Sequence, residues 1–299
     1  MKHTLKVTIA LVLFFFMAQF TGLLIISHYI DHKKTIEAKE VVMKPLPYGL
    51  ERPEVKNQST SFIYITIAVL IGTVLVLLLV KFNKPLIWKL WFFATVWLTL
   101  AIAFAAFINN IAAAVIALVL AILKLYKPDI IIQNLSEIFI YGGLAAIFVP
   151  IINIFAAFML LIIISIYDYI SVFKTKHMIK LAEFQSESKV FAGLLIPYRK
   201  EKIVLKGKMA AAPKGEKTKV AVLGGGDIGF TLIFAGVVMK GLMLKEAVFT
   251  GFLKALIIPV IVSLALLFLL VKGQENKFYP AMPILSLGCF IGYLVVLMI

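Results

Sequence analysis

The chain has one cysteine in 299 residues, Cys289, so it can form no internal disulfide. Four histidines and that cysteine, none in metal-ligand spacing, leave no zinc signature such as His-Glu-x-x-His. No metal or organic cofactor is expected. Charge is also scarce. Charged residues make up 15% of the chain and hydrophobic ones 62%, with a mean hydropathy of +1.04. A soluble domain carries about 25% charged residues, and none needs this much apolar surface. A bilayer span takes roughly 20 apolar residues, and the chain has room for many. It reads as an all-α polytopic membrane protein. Acidic residues are few, fifteen against thirty lysines and arginines, for a net charge of +15. In a soluble protein that excess would suggest nucleic acid. Here the lysines sit in loops beside apolar spans, so the charge reports topology instead and no nucleic-acid partner is expected.

Nine spans follow from the apolar runs and their breaks. The first, Leu5 to Ile30, is longer than a signal-peptide core and lacks a small-x-small cleavage site, so it reads as a retained helix. Residues 31–60, with Pro45, Pro47 and Pro53, form an extramembrane loop. Ser61–Val80 and Pro85–Phe107 follow, with Trp88 and Trp91 suited to the interface. Asn109-Asn110 then opens a fourth span ending near Leu125. Lys127-Pro128-Asp129 separates it from a fifth, Ile130–Val149, and Pro150 precedes a sixth, Ile151–Phe173. Residues 174–218 are the largest polar segment. Lys-rich, with Gly207, Pro213 and Gly215, it is expected to be a mobile loop in which His177 is solvated. The last spans are Lys219–Met239, Ala247–Val271 and Phe278–Met298. The chain thus divides into 1–173 with six spans, a loop at 174–218, and 219–299 with three.

Nine spans put the termini on opposite faces. The amino-terminal side collects 21 lysines and arginines and the other side 9, and 12 of the 21 lie between residues 174 and 219. The bias predicts a multi-pass protein of the cell membrane, with the N-terminus and the 174–218 loop cytoplasmic and the C-terminus outside.

Of only four aspartates, Asp168 and Asp227 lie inside apolar runs. Asp168 precedes the exit of a descending span by six residues, and Asp227 follows the entry of an ascending one by eight. At about 1.5 Å rise per residue their depths are roughly 9 and 12 Å, so two antiparallel helices carry them at one level. Two carboxylates brought together at low dielectric cannot both ionise. One takes a proton from an attacking water while the other donates to the carbonyl oxygen. Intramembrane acids also mark ion paths or simply bond to neighbouring helices. Depth alone leaves catalysis, transport and structure open.

Three motifs add a resemblance. Ile164-Ser-Ile-Tyr-Asp-Tyr-Ile170, Leu223-Gly-Gly-Gly-Asp227 and Pro280-Ala-Met-Pro-Ile284 resemble the Tyr-Asp, Gly-x-Gly-Asp and Pro-Ala-Leu motifs of presenilins and signal peptide peptidases. They come in that order, on the sixth, seventh and ninth spans. The cytoplasmic N-terminus, the short loops and the ending after the ninth span are most similar to prokaryotic single-chain presenilin homologues. The resemblance implies a presenilin-like fold and an intramembrane aspartyl protease. Its substrates would be transmembrane helices of other proteins, and it would need no accessory subunit. Asp168 and Asp227 would be the catalytic pair and Gly224 and Gly226 the motif glycines, with Tyr167 beside the first aspartate. Pro280, Ala281 and Met282 would hold substrate near the site. Two positions depart from the pattern. Gly225 stands where the family often has a larger apolar residue, which bears on substrate preference, and Met282 replaces leucine, a volume-conserving swap.

The rival reading is a proton-coupled secondary transporter with the glycines as the break of a discontinuous helix, although no similarity between the two halves supports it. A prepilin-type peptidase would share Gly-x-Gly-Asp but leave the other two motifs unexplained. Glu137 reads as a buried, hydrogen-bonded or protonated carboxyl, Lys254 as a snorkelling side chain, and Gly142, Gly143 and Gly236 as close-packing positions. Residues 219–222 are β-prone and could pair with an unwound substrate.

Overall fold

A computed structural model describes residues 3–127, 129–175, 181, 184–185, 188, 190–198, 220–274 and 279–299. His177, Gly207, Pro213, Gly215 and Lys219 lie outside these residues. The elements are α1 (Leu5–Tyr29), α2 (His32–Ala38), α3 (Ser61–Lys81), α4 (Pro85–Ala105), α5 (Asn110–Tyr126), α6 (Ile130–Phe148) and α7 (Ile154–Phe173). Then come strands β1 (Gly193–Pro197) and β2 (Val220–Gly224), followed by α8 (Gly225–Lys245), α9 (Val248–Ala255), α10 (Ile257–Lys272) and α11 (Met282–Met298).

Seven helical stretches are long and apolar enough to cross a bilayer, with α9 and α10 counted as one, and α5 and α11 add two apolar helices of 17 residues. That length is at the lower limit for a span, so nine apolar helical stretches lie among the described residues, in line with the expected nine. Polar boundary residues define several starts by capping free N–H groups. Asn109, Asp129 and Asn153 accept from the backbone N–H of Ala112, Ile131 and Ala156. The eighth span breaks at Leu256, where Pro259 lacks the N–H that would bond the Ala255 carbonyl.

The chain is not wholly helical. β1 and β2 form an antiparallel pair in which Gly193 faces Gly224 and Pro197 faces Val220. β1 falls inside the segment expected to be one continuous loop. The seventh span, expected to start at Lys219, begins as a strand and becomes a helix only at Gly225.

Burial ranks the helices. The apolar stretch of α8 is 72% buried and that of α6 56%, whereas α3 is only 6% buried and lies at the periphery. α1 and α6 pack along each other, and α8 fits against both as well as α7 and α11. Small residues allow the approach, as expected for Gly142, Gly143 and Gly236. A Cβ at Gly142 would meet Ile25 and the Gly22 Cα, one at Gly236 would meet Ile26 and Val149, and one at Gly143 would overlap the Thr99 carbonyl of α4.

At one end of the bundle the His3 ring packs edge-on to Tyr198 just beyond β1, with centroids 5.8 Å apart. At the other end Tyr48 of the first loop donates to the Asn110 carbonyl at 2.7 Å. There Lys240 also donates to the carbonyls of Val149, Pro150 and Ile152 at 3.1, 3.3 and 2.7 Å, tying α8 to the α6–α7 connection.

Replacing Gly143 by Ala should destabilise the protein by about 1–3 kcal/mol through overpacking. Gly72→Ala, where a Cβ meets nothing within 4 Å, should be neutral or gain about 0.5–1 kcal/mol. Thermal unfolding in detergent checks both.

Candidate active site

Asp227 sits in the first turn of α8, three residues past the strand end Gly224. Three glycines are a poor helix start on propensity alone, so neighbouring elements must hold this turn. Gln133 and Asn134 of α6 hold the strand side. The Asn134 amide donates to the Leu195 carbonyl at 2.8 Å and accepts from its N–H at 2.9 Å. Gln133 donates to the carbonyls of Phe191 and Gly193 at 3.0 and 2.8 Å. Together they satisfy the edge of β1 that faces away from β2. The ladder continues as Gly225 N–H donates to Ala192 O at 3.2 Å.

The helix side is held by α1. Gln19, buried in the middle of α1, donates to the Ile228 carbonyl at 2.9 Å and to Thr231 Oγ1 at 2.8 Å. Thr231 in turn donates to the Asp227 carbonyl at 2.7 Å. The Asp227 carboxylate folds back beside Gly224, where a Cβ would meet Oδ2 at 3.4 Å.

Asp168 lies one and a half turns from the end of α7, half-buried like Asp227. Its Oδ2 accepts from the Met282 N–H at 3.1 Å, the first residue of α11. Pro280 and Ala281 precede the helix and Pro283 occupies its N-terminal turn, where a missing N–H costs nothing. Asp168 therefore serves as the acceptor for a helix start that has no side-chain cap of its own. Deeper in the same interface Ser165 and Ser286 are hydrogen-bonded at 2.8 Å.

The sequence motifs thus converge in part. α7, α8 and α11, which carry Asp168, Asp227 and the Pro-Ala-Met turn, all pack on one another. Pro280 and Ala281 are half-buried and Met282 is buried, whereas Gly226 is exposed. Tyr167 reaches α3 and donates to Thr73 Oγ1 at 3.1 Å. Lys254 does more than snorkel, since it pairs with Glu246 Oε1 at 2.6 Å.

Sequence reasoning gave Glu137 too little weight and passed over its partners. Glu137 Oε1 receives Lys124 Nζ at 2.6 Å and Gln133 Nε2 at 3.0 Å, and Glu137 Oε2 receives the Tyr141 hydroxyl. Lys124 and Glu137 are 4% and 1% exposed, so Lys124, near the end of the fourth span, is a buried cation. The signal was present. Gln133, Glu137 and Tyr141 recur at i, i+4 and i+8, one face of a helix.

Comparison with known proteins bears on the family and the fold. A family model described as signal-peptide peptidase, presenilin aspartyl protease matches residues 8–299. A presenilin family intramembrane aspartate protease solved in space group C222 is 18% identical, with a TM-score of 0.59 over 97% of this chain and 98% of its own. A structure of such a protease in space group P2 is 17% identical, with a TM-score of 0.58 over 97% and 96%. No curated protein sequence matches.

The buried ion pair yields a prediction. Lys124→Met should cost about 3–5 kcal/mol because it strands a buried carboxylate, and Lys124→Met with Glu137→Leu should recover most of that loss. Unfolding of the two variants in detergent checks it.

Proposed function

Because the chain belongs to the signal-peptide peptidase and presenilin aspartyl protease family, and is by that membership an intramembrane aspartic endopeptidase, we propose that Asp168 and Asp227 are its catalytic pair. The observation that carries the assignment is the hydrogen bond from Met282 N–H to Asp168. It joins the Pro-Ala-Met turn to one aspartate while α8, which carries the other, packs against the same two helices.

The chemistry then runs as follows. One carboxylate is ionised and the other protonated, since two adjacent charges at low dielectric are unfavourable. The ionised one removes a proton from water as the oxygen attacks the peptide carbon, and the protonated one gives its proton to the carbonyl oxygen. The tetrahedral diol collapses when the first carboxyl returns a proton to the amide nitrogen and the second takes one from a diol hydroxyl. The C–N bond breaks and both groups return to their starting states. Gly224 and Gly226 leave the approach to Asp227 free of side chains, and Pro280, Ala281 and Met282 border the site on the side of Asp168.

The substrates are membrane-spanning helices, whose peptide bonds are hidden in their own hydrogen bonds until the helix unwinds. β2 suits an unwound segment. The Gln133 and Asn134 amides occupy the outer edge of β1, so β-augmentation would use the outer edge of β2, where Val222 is 38% exposed. The single chain would act without accessory subunits, with its N-terminus and the 174–218 segment on the cytoplasmic side as the charge bias indicates.

Asp168→Asn and Asp227→Asn should each abolish cleavage of a single-span peptide while leaving the unfolding temperature near that of the parent. General acid–base roles contribute about 10²–10⁴-fold, so either variant retaining more than a few per cent of activity would remove its residue from the pair.

A further inference from the structure

The middle position of the Gly-Gly-Gly-Asp motif is Gly225, and the structure gives a reason for the missing side chain. A Cβ there would overlap the Tyr141 hydroxyl oxygen, with the ring atoms Cε1 and Cζ next at 3.1 Å. That hydroxyl is not free to move aside. It donates to Glu137 Oε2, and Glu137 is fixed by the buried Lys124 ammonium and by Gln133. Gln133 is in turn bonded to the Phe191 and Gly193 carbonyls at the start of β1, the strand that pairs with β2. Tyr141 is 5% exposed. α6 therefore presses one rigid polar atom into the backbone two residues before Asp227, against a turn whose glycines would otherwise give it unusual freedom.

We propose that Tyr141 is a positioning residue for Asp227, its hydroxyl filling the side-chain space at Gly225 and fixing the strand-to-helix turn in the reactive geometry. The inference rests on the reading of Asp227 as catalytic. It also gives a reason for glycine at this position: the volume a side chain would take is supplied by another helix.

The test is a set of purified enzymes cleaving one single-span peptide, with rates expressed per folded molecule. Tyr141→Phe keeps the ring and removes only the oxygen, and should lower kcat about 10- to 100-fold, the penalty for slight misplacement of a catalytic group, while KM changes less than about twofold. Gly225→Ala should be impaired in the parent because its Cβ meets the hydroxyl. In the Tyr141→Phe background the nearest ring atoms stand at 3.1 Å, so the double variant should exceed Gly225→Ala alone, a non-additivity expected only of residues in contact. Unchanged kcat in Tyr141→Phe, a loss confined to folding yield or KM, or a double variant no better than Gly225→Ala alone would each overturn the proposal. Asp227→Asn assayed alongside separates the two levels. If it stays active, the catalytic reading itself fails. If it is inactive while Tyr141→Phe is normal, only the positioning role fails.

Discussion

Backbone that is not helical carries unpaired N–H and C=O groups, and within a bilayer these are tolerated only where protein or an aqueous cavity satisfies them. Here the constraint is met by two side chains of one helix. Gln133 and Asn134 on α6 take up the outer edge of β1 as a further strand would, and β1 then pairs with β2. The amides thus brace β1, and β1 braces the strand that leads to Gly225 and Asp227. Gln19 does the corresponding work from α1 on the helical side of the turn. A buried amide that bonds backbone on both sides contributes more than a surface one, because removing it leaves donors and acceptors without water.

The second carboxylate shows the same economy from the opposite direction. Asp168 bonds to the start of α11, so the group proposed for chemistry also secures the irregular backbone created by Pro280 and Pro283. That dual use ties the sixth and ninth spans together at the site. It also gives a physical reason for two prolines standing at the head of a membrane helix rather than in a loop far from it.

Much of this was legible in the sequence because hydrocarbon thickness imposes span length and prolines, asparagines and aspartates interrupt the runs. Asp129 and Asn109, placed at boundaries by composition, are helix caps. The two aspartates stood out because ionisable groups in apolar runs are expensive. What stayed hidden depends on contacts across the bundle. β1 lies in a short apolar run, residues 190–198, whose length and pattern do not separate a strand from a buried loop without the contacts across the bundle. The role of Gly225 cannot be read without knowing that Tyr141 of another span points at it. Lys124 near a span end looks like a loop cation until the fold brings Glu137 to it.

The central claim is that this polar, braced pocket hydrolyses peptide bonds by paired carboxylates. It is tested most directly by incubating the purified protein with a labelled single-span peptide, with and without a hydroxyl-bearing transition-state inhibitor of aspartyl proteases. The account predicts cleavage within the span, lost stoichiometrically as inhibitor fills the site. An intact peptide, or cleavage that the inhibitor leaves untouched, would contradict it.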